Sequence, residues 1–424
     1  MKIKIAHIAK IEGHASFLGE ILKGDVRKAQ LIVREGARLL EGILRGRNFL
    51  EVSQISARIC GVCPVVHTLT SLKALEAALG LKISQTDEDL RKLLMAGQWL
   101  NSHSLHLFFF CLGDFFGQSD DLQLIKKYPK LAQKALLIRD FGNEIIEVIG
   151  GRSIHPLTPT VGGFLRYPKK EALDGLCQKS SQVLAAAKEL ALIFAKIKYP
   201  TLKKPTNFAS LTSTQDYACY DGRMKWLGQK KNQLISPAQF MKQIQEFQVD
   251  YNQQTKRSYF QNFPYLVGAL ARLNNNRGKL NPKAKEILKK TKIKFPQNNP
   301  FYNVLAQSIE IVQSVEEARV LLKKLLANKN LTKHIKPSFK IKAGSGYSAI
   351  EAPRGTLFYF YEVDRKGVIK NCNIITPTAQ NLANLENDLK IWLPDLIKLS
   401  VKERERKIKM LVRAYDPCLT CATH

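Results

Sequence analysis

The chain carries two Cys-x-x-Cys pairs, one near its start and one at its end, and their separation constrains the fold more than any other feature. The first lies in the segment Arg-Ile-Cys60-Gly-Val-Cys63-Pro-Val-Val-His, and the second in Asp-Pro-Cys418-Leu-Thr-Cys421-Ala-Thr-His. Two intervening residues let both sulfurs of a pair point at one ion from a tight turn. If the two pairs share an ion, the whole folded body lies between them and the site joins the ends of the domain.

Spacing alone leaves three interpretations of the cysteines open. A structural zinc ribbon binds its ion through two such pairs, which usually lie within about 15–20 residues of each other. A redox-active metal also favours thiolate ligands. Two unlinked thiol pairs, one of them a thioredoxin-like redox motif, would need no metal. Zinc and a redox-active metal are the two leading interpretations.

Length and cysteine usage indicate the class of protein. The chain has 424 residues, 45% of them hydrophobic, and can bury a large core. Eight cysteines in a chain of this length do not form a disulfide framework, so we predict a reducing, cytoplasmic location. The polar start, Met-Lys-Ile-Lys-Ile-Ala-His, does not resemble a signal peptide. The longest apolar run, 105–112, is far below the ~20 residues that span a bilayer, so we predict no transmembrane segment.

The net charge of +30 needs an explanation of its own. Dense Lys and Arg can indicate a nucleic-acid or anionic membrane surface, because counterion release favours such binding. Here the basic residues are spread along the chain and are not interleaved with aromatic residues as in a base-stacking platform. We therefore disfavour nucleic acid as a partner and favour a lysine-rich composition or an acidic partner subunit.

Hydrophobic periodicity predicts a mainly α fold with β-hairpins near the N- and C-terminal parts, an α+β class. Residues 1–35 predict a hairpin that turns at 23–25, and Gly355–Val363 predicts a strand that turns at 364–367 and returns along 368–375. Helical patterns, of which the second is capped near Thr86, cover 37–44, 86–110, 131–149, 170–198, 237–247, 304–327, 380–396 and 402–414. Length alone allows two or three domains or one large helical body. The patterns divide the chain into a β-rich part at about 1–35, a helical body at about 36–340 and a C-terminal part with the hairpin and the second cysteine pair at about 341–424.

The two cysteine motifs together resemble those of the nickel–iron hydrogenase large subunit. Four further segments fall in the order found in that family: Ile11-Glu-Gly-His14, Glu41-Gly-Ile-Leu-Arg45-Gly-Arg, Glu351-Ala-Pro-Arg354-Gly and Thr376-Pro-Thr378. The paired cysteine motifs are highly specific, whereas each of the other segments would be weak alone. The resemblance runs from residue 11 to residue 424 and so covers nearly the whole chain.

The resemblance implies a single large-subunit domain, 1–424, with a helical body and a metal-binding C-terminal part at about 341–424. It also implies an oxidoreductase that cleaves dihydrogen reversibly and heterolytically. It implies that Cys60 and Cys418 are terminal ligands of nickel. Cys63 and Cys421 would bind the same nickel and bridge it to an iron that carries carbonyl and cyanide ligands. Four soft thiolates suit a nickel that changes oxidation state.

The same resemblance assigns the catalytic side chains. The Cys418 thiolate resembles the base that takes a proton from dihydrogen, and Glu12 resembles the carboxylate that relays this proton outward. Arg354 resembles the guanidinium that lies over the open metal position. Its permanent charge and fixed fork suit it to polarising a ligand or orienting a carboxylate such as Asp416.

Supporting roles also follow from the resemblance. Thr378 would donate to an iron-bound cyanide, and His67 would form a hydrogen bond with a bridging sulfur. His424, Glu41 and the backbone carbonyl of Ile374 would hold a structural magnesium, or iron in its place, near the C-terminus. His424 as the last residue implies either removal of a C-terminal extension or a chain encoded without one.

Departures from the family's usual residues indicate which branch of the family the chain resembles. Lys10 stands where many members have Arg, and Ser102 stands where membrane-bound members carry Asp. Ser102 and the Ala-Thr-His ending resemble the soluble multimeric branch, which couples to nicotinamide or deazaflavin reduction. The four other cysteines are isolated, so electrons must pass to a partner small subunit with iron–sulfur clusters. The resemblance to the multimeric branch also allows further redox subunits. The alternatives are a dihydrogen sensor and a cofactor-less or zinc-binding structural relative.

His103 and His106 lie one helical turn apart, a spacing that favours packing over metal binding.

Overall fold

The computed structural model describes residues 1–118, 120–202, 204–217, 219–229, 231–331 and 339–423. Within these ranges the chain forms fifteen α-helices: α1 Leu40–Leu44, α2 Phe49–Ser56, α3 Pro64–Leu79, α4 Gln85–Ser104, α5 Leu112–Phe116, α6 Asp121–Lys127, α7 Pro129–Gly150, α8 Lys170–Ala195, α9 Pro237–Gln243, α10 Ala269–Asn276, α11 Pro282–Thr291, α12 Tyr302–Ala327, α13 Pro377–Leu396, α14 Val401–Ala414 and α15 Leu419–Ala422. Two 3-10 turns, Ala57–Ile59 and Arg277–Lys279, and a π-helical segment, Leu105–Cys111, are also present.

The same ranges contain thirteen strands: β1 Lys2–Ile8, β2 Ala15–Leu22, β3 Asp25–Val33, β4 Pro159–Thr160, β5 Gly163–Phe164, β6 Phe208–Thr212, β7 Arg223–Leu227, β8 Asn232–Ile235, β9 Ile244–Val249, β10 Asn252–Phe260, β11 Gly344–Ala352, β12 Gly355–Val363 and β13 Ile369–Ile375. They form antiparallel sheets ordered β1-β2-β3, β4-β5, β6-β7-β8, β9-β10 and β11-β12-β13. The predicted helix-rich α+β class is confirmed, although sheets also occupy the middle of the chain.

The N-terminal sheet forms where the sequence predicts it. β2 and β3 pair antiparallel and turn at Lys23 and Gly24, whose φ angles are 52° and 88°. Positive φ angles let the turn follow the twist of the two strands, and glycine adopts them without steric cost. The loop between β1 and β2, residues 9–14, reaches the C-terminal segment, where Leu419 N donates a hydrogen bond to Glu12 O.

The first helix begins later than predicted. Periodicity predicts a helix over 37–44, whereas α1 begins at Leu40. The cause is Leu39, which has φ 51° and ψ 40°, a left-handed conformation that a right-handed helix cannot include.

Long helices form the body of the molecule. α4 packs against α7 and α12, and α8 packs against α7 and α12, around one continuous hydrophobic core. The cap of α4 is Ser84 rather than the predicted Thr86, since the Ser84 hydroxyl accepts a hydrogen bond from Asp87 N. The predicted end of this helix near residue 110 falls in the π-helical segment, which follows α4 directly. Across the described ranges, no helix combines the length and apolar character needed to cross a membrane.

The middle of the chain departs most from its prediction. The sequence predicts a helix over 237–247, but α9 ends at Gln243 and β9 begins at Ile244. Ile244 pairs with Phe260 of β10. A second, smaller hydrophobic core forms here, in which Phe240 stacks on Phe260 with ring centroids 4.2 Å apart. The strand is therefore stabilised by partners that local periodicity does not reveal.

The C-terminal sheet carries part of the candidate site. β12 and β13 form the predicted hairpin, and β11, which the sequence analysis did not include, pairs along the other side of β12. Ala352 pairs with Gly355, so Pro353 and Arg354 form the two-residue turn between β11 and β12. α3 packs against both strands. α13 and α14 then lead the chain to its last residues.

Candidate metal centre

The two cysteine pairs meet in the interior of the molecule. The Sγ atoms of Cys60, Cys63, Cys418 and Cys421, here termed the four-sulfur group, all lie within 4.8 Å of one another. Cys60 Sγ lies 3.4 Å from Cys418 Sγ, and Cys63 Sγ lies 3.2 Å from Cys421 Sγ. All four residues are buried free thiols. The two motifs therefore encode one site, and the interpretation as unlinked thiol pairs is wrong.

The N-terminal half of the group is held between helices. α2 continues into the 3-10 turn Ala57–Ile59, Cys60 follows with extended backbone angles, and Cys63 directly precedes α3. Val62 N donates to Cys60 Sγ at 3.3 Å, which folds the intervening residues into a tight turn. Pro64 opens α3, where a helix has no internal partner for an N–H group.

The C-terminal half is fixed by contact with the N-terminal loop. Glu12 and Cys418 form a parallel β-bridge, and Leu419 N donates to Glu12 O at 3.0 Å. Gly13 has φ 87°, and a Cβ atom there would lie 2.9 Å from Leu419 Cβ. The close approach of the two chain segments therefore requires glycine at position 13.

Burial and hydrogen bonding separate the pKa values of the thiols. Hydrogen bonds with Cys418, Cys421 and Cys63 lower the pKa of Cys60 well below its ordinary value, although burial opposes this shift. Burial raises the pKa of Cys418 and the pKa of Cys421 well above the ordinary value. Without a cation, this buried group therefore holds fewer than four thiolates, and metal binding must displace thiol protons.

The Glu12 carboxylate contacts the C-terminal cysteine pair. Its Oε2 accepts hydrogen bonds from Cys418 Sγ and from Thr420 N, each at 3.1 Å. Its Oε1 accepts a hydrogen bond from Thr420 Oγ1 at 2.6 Å. The carboxylate is half-buried and His14, two residues on, is exposed, so Glu12 lies between a buried sulfur and the surface. Sequence reasoning missed Thr420, although its place between the two C-terminal cysteines was a signal.

A buried guanidinium lies beside the four-sulfur group. Arg354 is 4% exposed and pairs with Asp416, with Nε 3.1 Å and NH2 2.9 Å from Oδ1. Its NH1 donates to Ser102 Oγ at 3.4 Å. Burial disfavours the charged form, but Asp416 and the cysteine sulfurs hold the pKa of Arg354 well above its ordinary value. The site therefore contains a permanent positive charge within reach of the sulfurs.

A small cavity joins these groups. Its walls are formed by Cys63, Val66, His67, Ala352, Pro353, Arg354, Leu357, Pro377, Thr378, Cys418 and Cys421. His67 Nε2 lies 3.5 Å from Cys421 Sγ, and its Nδ1 lies 2.8 Å from Tyr359 OH. Thr378 Oγ1 accepts a hydrogen bond from Cys418 N at 2.9 Å, which leaves the hydroxyl hydrogen as a donor. The cavity is thus apolar except for the sulfurs, an imidazole, one hydroxyl and one guanidinium.

Two of the three residues predicted for the second metal site, Glu41 and Ile374, lie among the described residues. Glu41 and Ile374 adjoin, because Ile374 N donates to Glu41 Oε1 at 3.0 Å. This contact uses the N–H of Ile374, whereas the prediction concerns its carbonyl. His424 lies outside the described residues. Arg38 N donates to Thr423 O at 2.8 Å, so the described end of the chain lies beside the segment that leads into α1.

The other cysteines and the helix histidines lie outside the four-sulfur group. Among the described residues, no further cluster of metal-binding side chains accompanies Cys111, Cys177, Cys219 and Cys372. His103 Nε2 lies 3.0 Å from Glu310 Oε2, and His106 Nδ1 lies 2.5 Å from Gln307 Oε1. Both histidines pack against α12, as predicted. Sequence reasoning missed Gln307, whose signal is its place between Asn303 and Glu310 in a row of polar residues on one face of α12.

The donors of the site fit a soft, redox-active metal pair. Four thiolates suit nickel or iron as well as zinc. A structural zinc site is closed, and needs neither a carboxylate bonded to a ligand sulfur nor a buried guanidinium beside it. Glu12 and Arg354 therefore favour the redox-active interpretation over the structural one.

Comparisons with known proteins agree with this chemistry. The family model described as nickel-dependent hydrogenase matches residues 38–139 and 201–424. The chain is similar to the sulfhydrogenase 1 subunit alpha of Pyrococcus furiosus, with 34% identity over 100% of this chain and 98% of that protein. It is also similar to the NAD-reducing hydrogenase HoxS subunit beta of Cupriavidus necator, with 27% identity over 100% of this chain and 94% of that protein.

A solved structure gives the same result for the fold. The crystal structure of an NAD+-reducing nickel–iron hydrogenase in its dihydrogen-reduced state matches with a TM-score of 0.89 and 25% identity. The match covers 100% of this chain and 99% of that one. On the evidence of its four-sulfur group, its fold and these matches, the chain belongs to the nickel-dependent hydrogenase family.

Proposed function

We propose that this chain is the catalytic subunit of a nickel–iron hydrogenase that splits dihydrogen reversibly into protons and electrons. The observation that carries the proposal is the buried four-sulfur group with the Glu12 carboxylate 3.1 Å from one of its sulfurs. The sulfurs alone would fit several metals. A carboxylate hydrogen-bonded to a ligand sulfur adds the proton acceptor that heterolytic cleavage needs.

The four-sulfur group would hold both metals. In this proposal Cys60 and Cys418 would hold nickel alone, Cys63 and Cys421 would hold both nickel and iron, and the iron would carry carbonyl and cyanide. When bound, this pair of metals supplies the redox-active centre at which dihydrogen is activated. The apolar cavity walls suit small ligands such as carbonyl, and the Thr378 hydroxyl offers a donor to a cyanide nitrogen.

The side chains would move the proton. Cys418 Sγ takes a proton and donates it, as S–H, to Glu12 Oε2. Glu12 is half-buried and can release the proton towards the exposed side of the loop 9–14. Cleavage of one dihydrogen yields two protons and two electrons, so the electrons need a separate exit.

Other side chains around the cavity would hold the catalytic groups in place. Arg354 keeps a fixed positive charge over the cavity, and Asp416 orients its fork. His67 supports the Cys421 sulfur through its imidazole. A magnesium, or an iron in its place, would be held by Glu41, the Ile374 carbonyl and His424, and the contact between Glu41 and Ile374 supports that site.

Electrons would leave through a partner. The cysteines outside the four-sulfur group are isolated in the described part of the chain, which supports a separate small subunit with iron–sulfur clusters. The similar proteins named above are subunits alpha and beta of their enzymes, and one of them is NAD-reducing. We propose that this chain works in a cytoplasmic complex with further redox subunits. Its net charge of +30 suits an acidic partner surface.

The test is a metal and activity measurement on anaerobically purified complex. We expect nearly equal amounts of nickel and iron, infrared bands of metal-bound carbonyl and cyanide, and dihydrogen-dependent reduction of a viologen dye. Zinc in place of both metals would support the structural alternative. Nickel and iron with only trace turnover would support a dihydrogen sensor, and either result contradicts the proposed enzyme.

A further inference from the structure

We propose that Gln307 is a positioning residue, which holds Asp416 in the orientation that pairs it with Arg354 beside the metal centre. The inference rests on the proposed function, because the Arg354–Asp416 pair borders the site proposed for the metals. Gln307 lies on α12 and is fully buried, at 0% exposure.

The pair has a feature that calls for a third residue. Arg354 contacts the Asp416 side chain through Oδ1 alone, with Nε at 3.1 Å and NH2 at 2.9 Å. A carboxylate held at one oxygen can still rotate. Asp416 also has φ 49°, in the left-handed region, which aspartate tolerates better than most residues other than glycine. Surrounding contacts must still fix the orientation of its carboxylate.

Gln307 provides the contact to the second oxygen. Its Nε2 donates to Asp416 Oδ2 at 2.9 Å, and its Oε1 lies 2.5 Å from His106 Nδ1. A carboxylate accepts only, so the amide must present its NH2 group to Asp416 and its oxygen to His106. His106 must then carry a hydrogen on Nδ1, and its Nε2 lies 2.7 Å from Arg413 O and 3.2 Å from Cys111 Sγ. The acceptor-only carboxylate of Asp416 thus fixes the orientation of the glutamine amide.

The place of Gln307 on α12 supports a role in alignment. Asn303, Gln307 and Glu310 are spaced four and three residues apart and share one face of the helix. Asn303 Nδ2 donates to Ala414 O at 2.8 Å, two residues before Asp416. Buried polar groups destabilise a protein unless they are bonded, so a bonded row on a buried helix indicates a specific geometry.

The same helix face also holds the turn that carries Arg354. Glu310 binds Arg272 through two contacts of 2.7 Å. Arg272 in turn donates to Ala352 O and Pro353 O, each at 2.8 Å. These are the residues directly before Arg354. One face of α12 therefore fixes both members of the ion pair, and Gln307 is the member of that face in contact with Asp416.

The test compares Gln307→Met with Gln313→Met. Gln313 is a matched control, because it is buried on the same helix and its side chain accepts a hydrogen bond from Asn281 N at 2.7 Å, away from the pair. In metal-free protein we expect the Asp416 amide, which donates to Arg413 O, to exchange hydrogen for deuterium at least about tenfold faster in Gln307→Met. Gln313→Met should leave that exchange at the wild-type rate.

A second readout uses the loaded complex. Gln307→Met should retain its nickel but lose at least about tenfold in kcat per nickel, with KM for dihydrogen little changed. In Gln307→Glu, the protonated form preserves both hydrogen bonds, whereas the ionised form repels Asp416. Turnover of Gln307→Glu should therefore approach the wild-type value at low pH and fall more steeply than wild type as pH rises.

Three results would overturn the inference. The first is a wild-type exchange rate of the Asp416 amide in Gln307→Met. The second is an equal loss of kcat per nickel in Gln307→Met and Gln313→Met. The third is a pH profile of turnover in Gln307→Glu that runs parallel to that of wild type. The exchange experiment needs no metal. A wild-type complex without nickel would therefore contradict the proposed function, while accelerated exchange in Gln307→Met would still support the positioning contact.

Discussion

Glu12 meets the C-terminal segment through three side-chain hydrogen bonds, and these bonds determine what a substitution there can test. One oxygen accepts from Cys418 Sγ and Thr420 N, and the other accepts from Thr420 Oγ1. A glutamine can keep this arrangement, because its oxygen can serve the first position and its NH2 group can donate to the Thr420 hydroxyl. The properties lost are the negative charge and the ability to accept and release a proton.

We therefore predict that Glu12→Gln keeps the fold and both metals but loses proton transfer. General acid–base groups contribute about 10²–10⁴-fold to rate, so isotope exchange between dihydrogen and water should fall at least about 100-fold. The matched control is Glu35→Gln. Glu35 Oε1 accepts a hydrogen bond at 2.8 Å from the backbone N–H of His14, which lies on the same loop as Glu12. Replacing Glu35 by Gln should therefore leave isotope exchange at the wild-type rate. Normal exchange in Glu12→Gln would show that protons leave by another route.

Contiguous motifs made part of the site predictable from the sequence. The four cysteines are encoded by short local spacings, and Glu12 and Arg354 were identified because each lies inside a recognisable segment. Gln307 and Asp416 are 109 residues apart, and Arg272 and Glu351 are 79 apart. Such pairs meet only through tertiary packing, so a single sequence carries no local signal of the contact.

At the scale of elements, one buried charge network ties α4, α10, α12 and β11 together. Arg272 of α10 pairs with Glu310 of α12 and with Glu351 of β11, and all three side chains are 0% exposed. His103 of α4 lies 3.0 Å from Glu310. All five N–H hydrogens of the Arg272 guanidinium have acceptors in these carboxylates and the carbonyls before Arg354.

This network predicts a pH-dependent loss of stability. Burial alone would raise the pKa of Glu310, but Arg272 and His103 lower it to about 2. A carboxyl with a lowered folded pKa stabilises the fold above its unfolded pKa of about 4.3, and that contribution is lost as pH falls towards 2. Glu310→Gln should therefore lower the free energy of unfolding by about 3 kcal/mol at pH 6, and the difference from wild type should shrink below pH 4.

The control for this prediction lies on the same helix. Burial raises the pKa of Glu317, the opposite sign, so its ionised form destabilises the fold at neutral pH. Glu317→Gln should leave the free energy of unfolding at pH 6 unchanged or raise it. Urea unfolding of both variants between pH 3 and pH 7 measures the difference. A constant gap between wild type and Glu310→Gln across that range would contradict the assignment of an ionised Glu310.

The prediction of secondary structure succeeded where the sequence signal is local and failed where pairing with another strand determines the structure. β2, β3, β12 and β13 formed as predicted because a turn signal links adjacent strands. Residues 244–247, the end of the helix predicted over 237–247, instead form the start of β9, because β10 supplies a strand partner and Phe240 and Phe260 supply a small core. The π-helical segment after α4 has no sequence signature that the periodicity analysis could use.

For the whole molecule, the main consequence is that its two ends are joined. Cys60 and Cys418 are separated by 358 positions, yet their sulfurs lie 3.4 Å apart. Arg38 N and Thr423 O form a second link between the early and the late parts of the chain. Chain ends usually fray unless they are tied down, and here both the N-terminal loop and the C-terminal helix α15 contribute to one buried site.

A metal bound to this site should therefore stabilise the entire fold. The unfolded chain cannot present four sulfurs drawn from both ends at once, so the binding free energy adds to the free energy of unfolding. A contribution of about 10 kcal/mol corresponds, for a chain of this size, to a rise in Tm of about 10 °C. Differential scanning calorimetry of loaded and metal-free protein under reducing conditions measures this rise.

Cys418→Ser should abolish the rise in Tm. Cys177→Ser, on α8 and outside the four-sulfur group, should preserve it. Equal Tm values for loaded and metal-free wild type would mean that hydrogen bonds such as Leu419 N to Glu12 O hold the two ends together without help from the metals.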